Sequence, residues 1–135
     1  EQNQTEILEL VPMNIVAGIG CRRGTTLEEL EQGLSEVLEE NHLSPEQICL
    51  IVSIDLKKDE QGLIRLAEKY RVPFVTYTKE ELETIQNVSS RSEFVKKTTG
   101  VDNVCERAAR YAAKDGTVIQ AKCQKTKMTV AFVKK

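Results

Sequence analysis

Apolar and polar positions follow two rhythms along the chain. Ile48 to Ile54 is apolar at nearly every position, the pattern of a strand covered on both faces, as in a parallel sheet. Met13 to Ile19 predicts an earlier strand, entered from Val11-Pro12, where proline holds the preceding residue extended. That strand is expected to stop at Gly20. Between the two, Leu27, Leu30, Leu34, Val37 and Leu38 share one helical face. Thr25 and Thr26 each have a glutamate three residues on (Glu28 and Glu29), a capping-box spacing that opens a helix. The helix is expected to end near Asn41. Ser44-Pro45-Glu46-Gln47 predicts one further turn, with serine as cap and proline in the first position.

Beyond the Ile48–Ile54 strand, Leu63, Leu66, Ala67 and Tyr70 recur at i, i+3, i+4 and i+7 and predict a second amphipathic helix. Pro73 to Tyr77 reads as a short strand, and Thr78 with Glu81 caps a short helix. Asn87 to Arg91 reads as polar loop, and Ser92 to Thr99 as a helix closed by Gly100. Another helix is expected from Asp102 or Asn103 to about Ala113, its alanines 108, 109, 112 and 113 small enough for close packing. After a turn at Asp115-Gly116, Thr117 to Ala121 and Met128 to Val133 predict two strands. The Lys-, Gln- and Thr-rich connection between them suggests a hairpin. Strand and helix alternate at the front and a hairpin closes the back. The expected fold is α/β, a three-layer α/β/α domain with a mixed sheet of about five strands. Residues 1–12 are expected to form a linker or tail, and 13–135 a single domain.

Charge and cysteine content narrow the function. Lys+Arg 19 nearly balance Asp+Glu 21, leaving a net charge of −2, whereas a general nucleic-acid binder usually presents a strongly basic face. No stretch approaches the ~20 apolar residues of a membrane helix. Glu1 to Leu10 is polar and acidic, without the apolar segment of a signal peptide. A cytoplasmic protein without membrane or nucleic-acid partners is expected. The missing initiator methionine favours a chain cut from something longer. Cys21, Cys49, Cys105 and Cys123 form no CxxC pair, and the sole histidine, His42, has no thiol nearby. No metal site is therefore expected, and the cysteines read as small buried residues in a reducing compartment.

In open α/β sheets ligands bind beyond the carboxyl ends of the strands, and three loops are expected at that edge. The first is Gly20-Cys21-Arg22-Arg23-Gly24-Thr25, which joins a strand to a helix N-terminus. Free amides and the helix dipole there favour an anion, glycines allow close approach, and two arginines add forked donors for carboxylate or phosphate. The plainer alternative is a tight turn with two solvated arginines. The second loop, Asp55 to Glu60, carries Lys57, either a second cation over the edge or a solvated side chain. The third, Ser92 to Glu106, holds Ser92, Thr99, Gly100 and Glu106; spacing alone favours caps here, Ser92 as N-cap, Gly100 as C-cap and Glu106 in a capping box with Asn103. Lys122, Lys125 and Lys127 read as a charged hairpin tip that protects a sheet edge.

Other chemistries fit less well. Gly18-x-Gly20-x-x-x-Gly24 followed by Asp55 resembles a dinucleotide fingerprint, but Arg23 stands at the usual third glycine. No GK[ST] run is present for a phosphate-binding loop. His42, among Glu39, Glu40 and Asn41, reads as a helix-end residue rather than a catalytic base. Cys21, at a helix N-terminus beside two arginines, is in a setting that lowers a thiol pKa, yet no base accompanies it.

GIGCRRGT at Gly18 to Thr25, SIDLKKDEQGL at Ser53 to Leu63, RSEFVKKTTGVDNVCERAA at Arg91 to Ala109 and KMTVAFV at Lys127 to Val133 occur in this order. In that combination the chain resembles the CbiG C-terminal/CobE family of cobalamin biosynthesis, over about residues 14–133. The resemblance implies a part in building the corrin ring. CbiG-type proteins are cobalt-precorrin-5A hydrolases, which open a ring-A δ-lactone and release a two-carbon fragment as acetaldehyde. They are longer, so the resemblance implies a detached C-terminal domain with upstream domains as partners. The alternative it implies is a CobE-like module that binds or carries a corrinoid intermediate without chemistry. It implies no cofactor, any cobalt belonging to the substrate. A corrinoid is a large apolar ring fringed with carboxylates. Gly20, Cys21, Arg22, Arg23, Gly24, Thr25, Lys57, Ser92, Thr99 and Gly100 are then the expected binding residues. Glu106 is the expected base for the attacking water, with Arg22 or the loop amides as oxyanion donors.

Overall fold

The computed structural model describes residues 12–89 and 101–135. Its strands are β1 (Ile15–Cys21), β2 (Ile48–Ile54), β3 (Phe74–Tyr77), β4 (Thr117–Lys125) and β5 (Met128–Lys134). The helices among the described residues are α1 (Leu27–Glu40), α2 (Gln61–Tyr70), α3 (Lys79–Glu83) and α4 (Val104–Ala112). One-turn 3-10 helices at Pro45–Gln47 and Asp55–Lys57 flank β2. The five strands form one sheet in the order β3-β2-β1-β5-β4. β1, β2 and β3 are parallel, whereas β5 runs antiparallel to both β1 and β4. The expected mixed five-stranded sheet with a C-terminal hairpin is present.

Side-chain alternation on β1 divides the interior into two cores. Ile15, Ala17 and Ile19 meet Leu30, Leu34, Val37 and Leu38 of α1, Leu63 and Leu66 of α2, and Phe132 of β5. On the opposite face, Val16 packs with Val52, Ile54, Val133 and the α4 residues Val104, Ala108 and Ala109. Both faces of β2 are thus covered, which explains its nearly continuous apolar run. Gly18 is the point of closest approach on the second face, where a Cβ would overlap the Cys105 carbonyl of α4.

Capping chemistry bounds the helices as the spacing predicts. Thr26 and Glu29 form a reciprocal capping box on α1, and Thr78 and Glu81 form another on α3. Asn41 ends α1 as its C-cap. His42 follows in the left-handed region at φ 56°, its amide donating to the Glu39 carbonyl. Two strands differ from expectation by more than one residue. β1 begins and ends two residues later, because Gly20 and Cys21 pair with Thr129 and Met128 of β5. β4 runs on to Lys125, because Cys123, Gln124 and Lys125 pair with Val130, Thr129 and Met128. The hairpin therefore turns at Thr126 and Lys127 alone, with Lys127 at φ 66°. The expected helix from Ser92 to Thr99, with its Gly100 cap, lies outside the described residues.

Candidate functional site

The carboxyl ends of β1, β2 and β3 open onto one edge, and the turn from β1 into α1 dominates it. Arg22 and Arg23 are both exposed there, and no ion pair among the described residues uses either guanidinium. Gly24 follows at φ +83°, a left-handed geometry that glycine adopts without strain, with open space where a Cβ would project. Thr25 is buried, and its hydroxyl donates to the Arg22 carbonyl at 2.6 Å.

Five amides of this turn and helix start already have acceptors, which narrows the expectation of free N–H groups. The Arg22 amide donates to the Lys127 carbonyl at 3.0 Å and that of Thr25 to the Arg22 carbonyl at 3.2 Å. The Gly24 amide donates to Glu60 Oε2 at 2.8 Å. The capping box takes the Thr26 and Glu29 amides at 3.0 and 3.1 Å. Capping and a neighbouring carboxylate have satisfied in advance some of the donors that a bare helix end offers, leaving the Leu27 and Glu28 amides of the first turn. What the turn presents outward is the pair of guanidinium groups.

Lys57 faces inward. It is 9% exposed, and its ammonium lies 3.7 Å from Glu60 Oε1, an ion pair beneath the turn rather than a cation on the rim. Its neighbour Leu56 is 49% exposed on the one-turn helix that leaves β2, an apolar side chain on the same strand edge as the arginines. Cys21 is not an activated thiol. Burial pushes it up to about 11 against the opposing pull of the Lys57 ammonium. The expected lowering by two arginines and a helix end does not occur, because the thiol lies inward with Lys57 and Glu60.

Glycines 18 and 20 are also accounted for without a dinucleotide. A Cβ on the first would strike α4, and on the second the Thr129 hydroxyl of β5. Both are needed for packing against neighbouring elements.

Glu106 occupies a second buried centre, at the N-terminus of α4, and is 3% exposed. Its carboxylate accepts from the Ser89 amide at 3.0 Å, the Ser89 hydroxyl at 2.6 Å, Asn103 Nδ2 at 3.2 Å and the Lys122 amide at 3.2 Å. Burial raises the cost of its charge, but these donors outweigh burial and hold the carboxyl below its usual range. A general base needs a lone pair open to water; Oε1 takes three of these bonds and Oε2 only that of the Ser89 amide. Beside it, Arg107 forms a buried ion pair with Asp102 at 2.6 Å and donates to the Ile85 and Asp102 carbonyls. Ser92, Thr99 and Gly100 lie outside the described residues.

Sequence reasoning missed Glu60, Leu56 and Ser89. Glu60 closes the run Lys57-Lys58-Asp59-Glu60, which has the look of a solvated loop; only tertiary placement turns its ends inward. Leu56 carried one weak signal, as a lone apolar residue among charges. Among the described residues, no group of three or more His, Cys, Asp or Glu side chains is placed to hold a metal ion. No helix among them is long and apolar enough to cross a membrane.

The family model for the cobalamin synthesis G C-terminus matches residues 15–133. The chain is 46% identical over 101 residues to a cobalt-precorrin-5A hydrolase of Salmonella typhimurium, covering 75% of this chain and 29% of that protein. It is 34% identical over 120 residues to the Priestia megaterium cobalt-precorrin-5A hydrolase, covering 89% of this chain and 32% of the other. The chain thus spans about a third of the length of these curated relatives. The crystal structure of CobE, described as a protein from the cobalamin (vitamin B12) biosynthetic pathway, superposes with a TM-score of 0.84 at 28% identity. That match covers 94% of this chain and 96% of CobE.

Proposed function

The chain belongs to the cobalamin synthesis G C-terminus family, and on that premise we propose that it is the corrinoid-gripping part of a cobalt-precorrin-5A hydrolase. The observation that carries this reading is the strand edge where two exposed guanidinium groups, Arg22 and Arg23, accompany an exposed leucine. A cobalt-precorrin is a broad apolar ring fringed with carboxylates, so it calls for forked cationic donors beside an apolar contact. Leu56 supplies the latter. Arg22 and Arg23 bind peripheral carboxylates, and a guanidinium set against the lactone carbonyl stabilises the charge that develops as water adds. Gly20, Cys21, Gly24, Thr25 and Lys57 shape and support the turn. Ser92, Thr99 and Gly100 extend the binding surface in this reading.

In this account Glu106 fastens the segments around the site. Abstracting a proton from water falls to residues elsewhere in the polypeptide, because the Glu106 oxygens are already committed to four donors. Those residues lie in the remaining two-thirds of a hydrolase of the Salmonella type, which is the partner we propose. Cobalt, where present, arrives with the substrate, the chain needs no cofactor of its own, and the reaction belongs to the cytoplasm.

A second reading has one observation in its favour. CobE matches this chain along 96% of its own length, which suits a unit that holds a corrinoid intermediate without converting it. Acetaldehyde release separates the two. The chain alone, and a chimera in which it replaces the matching part of the Salmonella hydrolase, are incubated with cobalt-precorrin-5A. The hydrolase reading expects acetaldehyde from the chimera and a fall in its rate on Arg22→Ala/Arg23→Ala substitution. A chimera that folds and binds the substrate but releases none favours the carrier.

A further inference from the structure

A buried carboxylate stands directly under the arginine-bearing turn. Glu60 is 7% exposed, with Oε2 accepting from the Gly24 amide at 2.8 Å and Oε1 3.7 Å from the ammonium of Lys57. Glu60 also sits at the N-cap position of α2, although its side chain caps nothing there, being directed across to Gly24 instead. Its backbone takes part in the same junction: the Glu60 amide donates to the Lys57 carbonyl at 2.9 Å, closing the loop after β2. One residue thus ties the β2–α2 connection to the β1–α1 turn, 36 positions earlier in the chain.

We infer that Glu60 is a positioning residue, an internal carboxylate that fills the backbone donor of the turn and so presets Arg22 and Arg23 for an external one. The inference rests on the proposed reading of this edge as a carboxylate-binding surface. Its physical basis is competition for a single donor. A substrate carboxylate could take the Gly24 amide only by displacing Glu60, which would strand a buried anion and its buried lysine partner. That displacement is far costlier than binding to a solvated guanidinium. Ligand carboxylates are therefore directed to the arginine side chains. The filled donor also holds Gly24 in its left-handed geometry, which fixes the direction in which the preceding two residues leave the sheet. Gly62 contributes from the same side, since a Cβ on it would overlap the Thr25 carbonyl, so α2 and the turn lie in direct contact.

The test compares two double variants in a common Lys57→Met background, which removes the buried cation from the comparison. Lys57→Met/Glu60→Gln keeps an acceptor for the Gly24 amide, whereas Lys57→Met/Glu60→Leu keeps volume but no acceptor. The first readout needs no ligand: hydrogen-exchange protection of the Gly24 amide and backbone order at Arg22 and Arg23, measured by NMR. Protection and order are expected in the glutamine variant and lost in the leucine variant. The second is binding of uroporphyrin III, a stable flat macrocycle fringed with acetates and propionates, followed by absorbance. The glutamine variant is expected to bind about tenfold more tightly than the leucine variant. Equal Gly24 protection in the two, or equal affinity despite a loosened turn, overturns the inference. If native protein binds no macrocycle, and Arg22→Ala/Arg23→Ala changes nothing, the reading of the edge fails. The Gly24 protection and arginine order still decide whether Glu60 positions the turn.

Discussion

Glu106 accepts hydrogen bonds from three separate stretches of chain, around Ser89, Asn103 and Lys122. These bonds give it a structural contribution with a pH signature. The folded state holds its carboxyl below the usual value, so the unfolded chain takes up the proton first as pH falls. The stabilisation is complete above the ordinary unfolded pKa of about 4.3 and fades as pH drops through the lower native value. Glu106→Gln replaces one acceptor oxygen by a donor that faces other donors. It is expected to cost about 2–3 kcal/mol at neutral pH and to flatten the acid limb of the stability profile, as checked by urea unfolding between pH 3 and 7. The Asn103 side chain caps α4 by accepting from the Glu106 amide, a local Asn-x-x-Glu contact that was legible. The bonds of Glu106 to Ser89 and Lys122, 17 and 16 positions away, were not. The same distinction separates Thr26, read correctly from its neighbours, from Glu60, whose partner on the turn is 36 residues distant.

Elements built on local rules were readable, and elements whose limits are set by a partner strand were not. The second strand, the one-turn helix before it and the capped starts of α1 and α3 follow from apolar runs and Ser/Thr-x-x-Glu/Gln spacing. The late end of β1 and the extension of β4 to Lys125 depend on pairing with β5, which no local pattern encodes. The hairpin lysines likewise had a partner that spacing concealed. Lys125 reaches Glu40 at 2.7 Å and Glu36 at 3.5 Å, and Lys127 reaches Glu29 at 2.7 Å, so the tip leans on the acidic side of α1. These contacts are exposed and screened by salt. The cap of α1 is a firmer element-scale device. Thr26→Ala removes the acceptor for the Glu29 amide and is expected to cost about 1 kcal/mol. Thermal unfolding, with Thr26→Ser as the control that keeps the acceptor, checks it.

At the scale of the molecule, helices among the described residues pack on both faces of the sheet, and the ends of its parallel strands face outward. The β1–α1 turn lies there beside the line where a parallel strand meets an antiparallel one, β1 against β5. That the turns after the parallel strands share one edge was inferable from strand-helix alternation. Its chemistry was half inferable: the paired arginines stood in the sequence, but the capture of the turn's amides by Glu60, Lys127 and the capping box required the fold. On the proposed function, the guanidinium groups are the main hold on the macrocycle. Titrating cobalt-precorrin-5A by absorbance into the native chain, Arg22→Ala and Arg22→Ala/Arg23→Ala tests this most directly. Each lost charge-assisted contact is worth about 1.5–3 kcal/mol, so Kd is expected to rise about tenfold or more at each step while the thermal midpoint stays near native. An unchanged Kd in the correctly folded double variant would contradict it.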